Sequence, residues 1–510
     1  MAQSVMETER KYDVDENASL PSWSRLAGVG DTVGPQEELL EATYFDTPDL
    51  RLAAVGVTLR RRRGGSDGGW HLKLPVAAGT REEVRVGFAP GESRRRNPQP
   101  PDELTGLIRS LTHAQPVAPV AELSTVRRMW RLTDSEGHDL VAIVDDHVTG
   151  RTFGDATETR TWREIEVELG DRGDTTLLDR LERRLDKAGI RRSDAPSKLA
   201  RLLGPRLLER GVPHPSTLHR RSTLASVLLA YLRTQADAIR VLDPAVRRQR
   251  PESVHQMRVA IRRMRSALQA YRMVIPRAAT RDLTTELAWL ASVLGTARDL
   301  EVLEQRLHEE VRVLPADLVL GPVQAQLTRY FAGRQARAHE ELVAALDSAR
   351  YLALLTAIDD LLTDPPLAAA ARERARRRLT PILDRTYRRV AAQLKTADEL
   401  PPGQDRDTAL HEARKAAKRL RYAAEAASPA LGTPARRLVS RAKQLQELLG
   451  HHQDATVSLA ALRELGADAH LEGGNGFTFG VLYHQAMATS PDAELRPAAA
   501  KLRRAVKALA

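Results

Sequence analysis

The chain contains no cysteine, which excludes disulfides, thiolate nucleophiles and cysteine-ligated zinc. Aromatic residues make up only 4% of its 510 residues, a poor basis for stacking the bases of single-stranded nucleic acid. No run of 18 apolar residues occurs, and the N-terminus lacks the basic-then-apolar pattern of a secretory signal. A cytoplasmic protein with no membrane partner is the expectation. No Ser-His or Cys-His nucleophile arrangement is visible either. Hydrophobic residues reach 42%, enough for packed cores and against general disorder.

What the sequence does have is charge, unevenly placed. Residues 1–200 hold 29 Lys+Arg against 34 Asp+Glu, and the remainder hold 49 against 33. The basic excess of the second part suggests an anionic partner. With so few aromatics, a polyanion without bases suits it better than nucleic acid.

The grammar changes near residue 205. Before it, short alternating runs such as "GVTLRRRRG", "GWHLKLP", "TREEVRVGF", "STVRRMWRLTD", "HDLVAIVDDHV" and "WREIEVELG" are separated by turn residues, the signature of an antiparallel sheet or barrel. A helix is expected over 173–189. After residue 215 or so, Ala, Leu and Arg recur at helical spacing. The expected organisation is a strand-rich domain over 1–204, a Gly/Pro-bearing linker over 205–217 and a helical domain over 218–510.

The strands of the first part carry charge on alternate residues. "METERKYDV" places Glu7, Glu9 and Lys11 on one face, and "REIEVEL" does the same with Glu164, Glu166 and Glu168. Arg60 and Arg62 share a face, as do Arg81, Glu83 and Arg85, and Arg127 with Arg131. If these faces turn inward in a barrel, they build a lined cavity of matched charge rather than a packed core. Guanidinium forks suit phosphate oxygens, and paired carboxylates suit Mg²⁺ or Mn²⁺.

In this order, Glu7-x-Glu9-x-Lys11, Arg60-x-Arg62, Lys73, Arg81-x-Glu83, Glu166-x-Glu168 and Lys198 resemble the CYTH family, the triphosphate tunnel metalloenzymes. The resemblance implies a multidomain α+β protein whose N-terminal part is an eight-stranded antiparallel β-barrel tunnel with helices. It implies hydrolysis of inorganic triphosphate, polyphosphate or an organic triphosphate with a divalent cation. Metal ligands would be Glu7, Glu9, Asp145, Glu166 and Glu168, with "VDDHV" leaving Asp145 or Asp146 open. Lys11, Arg60, Arg62, Lys73, Arg85, Arg127 and Lys198 would grip phosphates, and Glu9 and Lys11 would be catalytic.

The second part repeats itself. "VHQMRVAIRRMRSAL" at 254–268 aligns with "LHEARKAAKRLRYAA" at 410–424, and "LGTARDLEVL" from Leu294 aligns with "LGHHQDATVSL" from Leu449. The offsets, 156 and 155 residues, mark duplication of a whole helical unit, so two repeated four-helix units are expected. His255, Arg258, Arg262 and Arg265 fall on one helical face, matched by His411, Arg414, Lys418 and Arg421, while Met257, Ile261, Met264 and Leu268 fall on another. Glu412 is the only acid within either stretch, so the stripes repel themselves and favour a bound anion. This pattern resembles the CHAD family of histidine-containing α-helical domains, which implies polyphosphate binding by those eight residues, with Arg263, Lys415 and Arg419 as secondary candidates. Association with polyphosphate granules would follow. The alternatives are a non-catalytic polyphosphate scaffold, an adenylate cyclase of the CYTH type, and a nucleic-acid binder. "RRR" at 94–96 reads as a solvated loop, and "HH" at 451–452 is too isolated for a metal site.

Overall fold

A strand that alternates apolar and charged residues has one face for a hydrophobic layer and one that must find polar partners. The computed structural model describes the chain except residues 1–2, 24–25, 78, 93–97, 155–156, 210–217, 219–221, 402, 488–491 and 510, and except the side chains of 205, 208–209, 451–457 and 492–493. Two units result, Met1–His214 and Pro215–Ala510. "RRR" at 94–96, residues 210–217 of the expected linker and the side chains of His451, His452 and Asp454 lie outside the described residues.

The first unit runs β1 (Gln3–Val14), β2 (Asp31–Asp46), α1 (Arg51–Ala54), β3 (Thr58–Arg63), β4 (Gly69–Ala77), β5 (Thr80–Gly87), α2 (Asp102–Thr112), β6 (Ala118–Thr133), β7 (Asp139–Thr152), β8 (Thr159–Leu169), α3 (Thr175–Lys187), β9 (Arg191–Arg192) and α4 (Lys198–Glu209). The strand order is β5-β4-β3-β2-β6-β7-β8-β1-β9, and β5 also pairs with β1. That last pairing closes eight antiparallel strands into a ring, with β9 beside β1. Closure leaves no long unpaired edge.

The apolar faces point outward and are covered by helices. Ile143, Ile165 and Val167 pack with Leu177, Leu178, Leu181 and Leu185 of α3. Leu59, Leu72 and Val84 pack with Leu104, Ile108 and Leu111 of α2. Each such side chain buried contributes about 1.5–3 kcal/mol, so the barrel is held from outside and its interior is released for charge. Asp174 starts α3 by accepting a hydrogen bond from the Leu177 amide at 2.9 Å. One end of the interior is apolar: Leu199, Leu202 and Leu203 of α4 pack against Ala42, Leu123 and Val148.

Strand β2 is the element that sequence patterning misses. "QEELLEA" spaces its apolar residues as a helix would, and Gly34 and Pro35 interrupt the alternation. Pairing on both sides, with β3 and with β6, overrides that local preference. The expected linker differs as well, because α4 carries helix through residues 205–209.

The second unit is all helix. It runs α5 (Leu224–Arg247), α6 (Ser253–Ala270), α7 (Arg281–Val313), α8 (Val323–Asp347) and α9 (Ala349–Thr363), then α10 (Ala375–Glu399), α11 (Gln404–Leu431), α12 (Thr433–Leu471), α13 (Phe477–Met487) and α14 (Asp492–Lys507). The duplication is thus visible in three dimensions, and each expected set of four is followed by a fifth helix. Ser348 separates α9 from α8 by capping it, accepting from the Tyr351 amide at 3.2 Å. Thr223 and Arg374, which precede α5 and α10, form a β-bridge. Leu224 donates to the Glu373 carbonyl at 2.9 Å, and Ala375 donates to the Ser222 carbonyl at 3.0 Å. These reciprocal bonds fix the register between the repeats. Met257, Ile261, Met264 and Leu268 are buried, as are Ala413, Ala417, Leu420 and Ala424.

Candidate functional site

Opposed residues of an antiparallel pair project to the same side, so the register alone states which side chains share the lumen. Glu9 faces Glu168, Lys11 faces Glu166 and Asp146 faces Glu164. Arg127 faces Asp146, Arg60 faces His71 and Lys73 faces Glu83. A cavity of about 100 Å³ results, lined by eight cations and six acids together with Tyr44, Thr58 and Ser197. Of the tunnel residues expected from the sequence, Glu7, Glu9, Lys11, Arg60, Arg62, Lys73, Arg85, Arg127, Glu166, Glu168 and Lys198 all line it.

Asp145 does not. Its carboxylate turns to the outer side, where Arg163 forks onto it at 2.8 and 3.1 Å. The same guanidinium donates to the carbonyls of Asp15, Glu16 and Ala18. Asp146 is the inward residue, taking two bonds from Arg127 at 2.9 and 2.7 Å and Lys198 at 2.9 Å. Metal ligation by Asp145 is therefore corrected: a strand gives each face to alternate residues, and the partner of Asp145 is Ile165. Asp145→Asn is expected to cost stability, about 1–3 kcal/mol from a weakened buried bond, which a thermal melt checks.

The lumen charges form one network. Lys198 meets Asp146, Glu164 and Glu166 at 2.8–2.9 Å. Lys11 pairs with Glu166 and, at 3.2 Å, with Glu9. Burial opposes ionisation of Glu166, but Lys11, Lys198 and Arg127 hold its carboxyl well below the usual range. Burial also works against the Lys11 ammonium, yet Glu166 and Glu9 raise its pKa. The carboxylates around Lys11 thus favour its ammonium form. Lys73 reaches Glu7 at 2.5 Å and Glu83 at 3.6 Å, and Arg85 reaches Glu7 at 3.1 Å. Burial and the neighbouring Glu83 and Glu168 raise the Glu7 carboxyl against the pull of Lys73.

Sequence reasoning left Glu83, Arg81, Asp67 and Glu164 out of the site, and held Asp146 open as the alternative to Asp145. Glu83 is fully buried and sits between His71 Nδ1 at 3.0 Å and Arg60 at 3.3 Å. Its place opposite Lys73 follows from strand parity, which could have found it. Asp67, on the hairpin between β3 and β4, pairs with Arg62, and only folding shows that contact. Arg62 is crowded: burial, then Arg60 and Arg127, push its pKa down to about 9. The buried Nε atoms of Arg60 and Arg62 have no hydrogen-bond acceptor among the described residues. The carboxylate oxygens of Glu9, Glu166 and Glu168 lie within 4.8 Å of one another. Three hard oxygen donors at that spacing fit a Mg²⁺- or Mn²⁺-class ion, whereas Glu7 is turned to Lys73 and Arg85.

In the helical unit, His255, Arg258, Arg262 and Arg265 of α6 and His411, Arg414, Lys418 and Arg421 of α11 are all half-buried. The sequence window overstated their isolation. Arg258 finds Asp299 at 2.7 Å on α7, and Arg421 finds Glu425 at 2.9 Å just beyond the window. Arg262 remains crowded: burial, then Arg258 and Arg414, lower its pKa despite Tyr422. The buried Nε atoms of Arg262 and Arg265 have no hydrogen-bond acceptor among the described residues. The duplication extends to side-chain packing. Arg258 lies against Gly295 and Arg414 against Gly450, where an added Cβ would meet either guanidinium at 3.1 Å. Glycine at both positions keeps these guanidiniums flat against the following helix.

Among the described residues, no helix is long and apolar enough to cross a membrane. The family model described as CYTH domain matches residues 6–203, and that described as CHAD domain matches residues 230–463. An uncharacterised protein of Mycobacterium tuberculosis is 37% identical over 98% of this chain and 97% of its own length. Human thiamine-triphosphatase is 39% identical over 79 residues, 16% of this chain and 31% of that protein. The crystal structure of the CHAD domain from the plant Ricinus communis is 25% identical, with a TM-score of 0.44 over 58% of this chain and 96% of that one.

Proposed function

This chain belongs to the family that joins a CYTH domain to a CHAD domain, and on that premise we propose that its barrel is a metal-dependent triphosphatase and its helical unit a polyphosphate-binding module. The observation that carries the first half is the juxtaposition of Glu9, Glu166 and Glu168 with eight cations in one lumen. Anion binding alone has no use for three clustered carboxylates, which would repel the ligand. A divalent ion held there by Glu9, Glu166 and Glu168 would neutralise phosphate charge and lower the pKa of an attacking water.

The chain's own side chains do the rest. Arg60, Arg62, Lys73, Arg81, Arg85, Arg127 and Lys198 fix a row of phosphoryl groups and oppose the charge that develops as the anhydride bond breaks. Lys11, kept cationic, positions the end of that row. Water attacks a phosphorus atom, the bridging P–O bond breaks, and orthophosphate leaves a shortened chain. Tyr44 is the one aromatic ring among the described lining residues. Its hydroxyl faces Arg60 at 3.5 Å, which favours an inorganic substrate over a nucleotide whose base needs a stacking partner. The test is phosphate release from tripolyphosphate, long polyphosphate, thiamine triphosphate and ATP, with Mg²⁺ and with Mn²⁺. Tripolyphosphate or long polyphosphate is expected to turn over fastest, and release of pyrophosphate from ATP would instead support the cyclase.

For the helical unit, the supporting observation is a crowd of half-buried cations on two related helices. Replacing Arg262 and Lys418 together by Glu is expected to weaken long-polyphosphate retention by at least tenfold per reversed contact, with helicity intact. Retention on a polyphosphate matrix and far-UV circular dichroism check this pair of expectations.

A further inference from the structure

The duplication that relates α6 to α11 is broken at one place, and the break concentrates charge. Around Arg263, the first repeat is neutralised. Glu425 accepts from Arg263 at 2.8 Å, Arg421 at 2.9 Å and Tyr231 at 3.3 Å. The repeat maps Arg263 onto Arg419 and Glu425 onto Gln269, so on the other side the acid has become a neutral amide. Counting from the Thr223–Arg374 bridge, Thr234 and Ala238 of α5 correspond to Arg385 and Arg389 of α10. The second side has lost its carboxylate and gained two guanidiniums.

These residues meet around a small, solvent-open pocket between α6, α10 and α11, with about 20 Å³ of internal space, lined by Gln269, Arg272, Arg385, Thr386, Arg389 and Arg419. Arg385 donates to the Ala270 carbonyl at 3.3 Å, a neutral acceptor. Among the described residues, none of the four arginines has an acid in salt-bridge contact. Burial, then Arg272 and Arg389, lower the pKa of Arg385. Burial, then Arg389 and Arg265, lower that of Arg419, with Glu412 acting against them.

We propose that this broken-symmetry pocket, bounded by Arg272, Arg385, Arg389, Arg419 and Gln269, is a separate binding site for a phosphoryl oxyanion, either free phosphate or a segment of a phosphoanhydride chain. Four converging guanidiniums leave a single carboxylate outmatched, whereas a multiply charged phosphoryl group supplies both the charge and the acceptors. The absence of an aromatic ring among the described lining residues removes the stacking partner that a nucleobase would use. The site shares only Arg419 with the candidates named from the stripes, and it does not depend on the barrel's activity.

The experiment uses the full chain and phenylglyoxal, which modifies accessible guanidiniums, with peptide mass mapping. Sodium tripolyphosphate, orthophosphate and sulfate are the probes, at matched ionic strength. Tripolyphosphate is expected to slow modification of Arg389 and Arg419. Gln269→Glu, which installs the acid that Glu425 supplies on the other side, is expected to weaken that protection about tenfold, the loss of roughly one charge-assisted contact. Residue 269 is exposed, so the variant keeps its fold, which circular dichroism verifies. Protection of Arg258 and Arg262 should be unchanged in Gln269→Glu, so failure of the stripes and failure of this pocket are distinguishable. Equal protection by orthophosphate assigns the pocket to a single phosphoryl group, and protection by tripolyphosphate alone assigns it to a chain. No protection, sulfate as effective as either phosphate, or protection undiminished in Gln269→Glu would each overturn the proposal.

Discussion

Glu9→Gln is expected to lower phosphate release by about 100- to 1000-fold, the scale seen when one group that stabilises transition-state charge is removed. The substitution keeps the size and most hydrogen bonds of the side chain but takes one charge from the cluster with Glu166 and Glu168. Every cation of the lumen remains, so substrate affinity should hold or tighten. A fall in kcat with KM unchanged or lower is the signature of a group acting in the transition state. Stability should change little. Lys11 retains its pairing with Glu166, and Arg81 lies only at the 4.0 Å limit from Glu9. Initial rates with tripolyphosphate and saturating Mg²⁺, beside a thermal melt, decide the matter. Undiminished phosphate release by a folded variant would sink the enzymatic half of the proposal and leave a binding tunnel.

Lys198→Met should act in the opposite sense, on stability first. The ammonium is buried and serves three carboxylates at once. Burial works against its charge, yet Asp146, Glu166 and Glu164 raise its pKa well above the ordinary value. Methionine preserves much of the stem volume, so the loss is electrostatic. Removing one partner of a buried charge network costs about 3–5 kcal/mol. The lower end applies because Arg127 still holds Asp146 and Lys11 still holds Glu166. A domain of this size loses about 2–4 °C per kcal/mol, so a fall of about 6–12 °C is expected for the barrel transition.

The pH dependence separates charge from packing. Glu166 and Asp146 have folded pKa values lowered from their ordinary ones. Their contribution is therefore present above the unfolded carboxyl pKa, near 4, and is lost as pH falls through the depressed values. Lys198→Met diminishes that contribution. The gap in melting temperature between the two chains should be widest near neutrality and narrow below about pH 4. A gap independent of pH would reassign the effect to packing alone.

Much of the barrel could be read from the chain, because a strand writes its two faces into alternate letters. "REIEVEL" states that three glutamates share a side and three apolar residues share the other. The outward packing of Ile165 and Val167 on α3 follows that parity. Parity failed where letters on both faces are acidic, as at Asp145 and Asp146: only the register with β6 and β8 tells them apart. It failed again in β2, whose local spacing is helical and whose extended form is imposed by neighbours on both sides. The charge stripes of the helical unit were legible for a similar reason, since a helix repeats its faces every three to four residues. Their partners were not, because Asp299 reaches Arg258 from another helix.

By itself the sequence determined which residues are charged, which of them share a face, that the helical unit is duplicated, and that both halves cluster cations. Tertiary structure alone decided that the polar strand faces enclose a lumen, that Asp146 enters it, and that one repeat keeps a neutralising acid where the other gathers four arginines. The physical reason is that periodicity is a property of one segment, written in consecutive residues. Electrostatic environment depends on groups distant in the chain, and only closure of the sheet and packing of the helices bring those together.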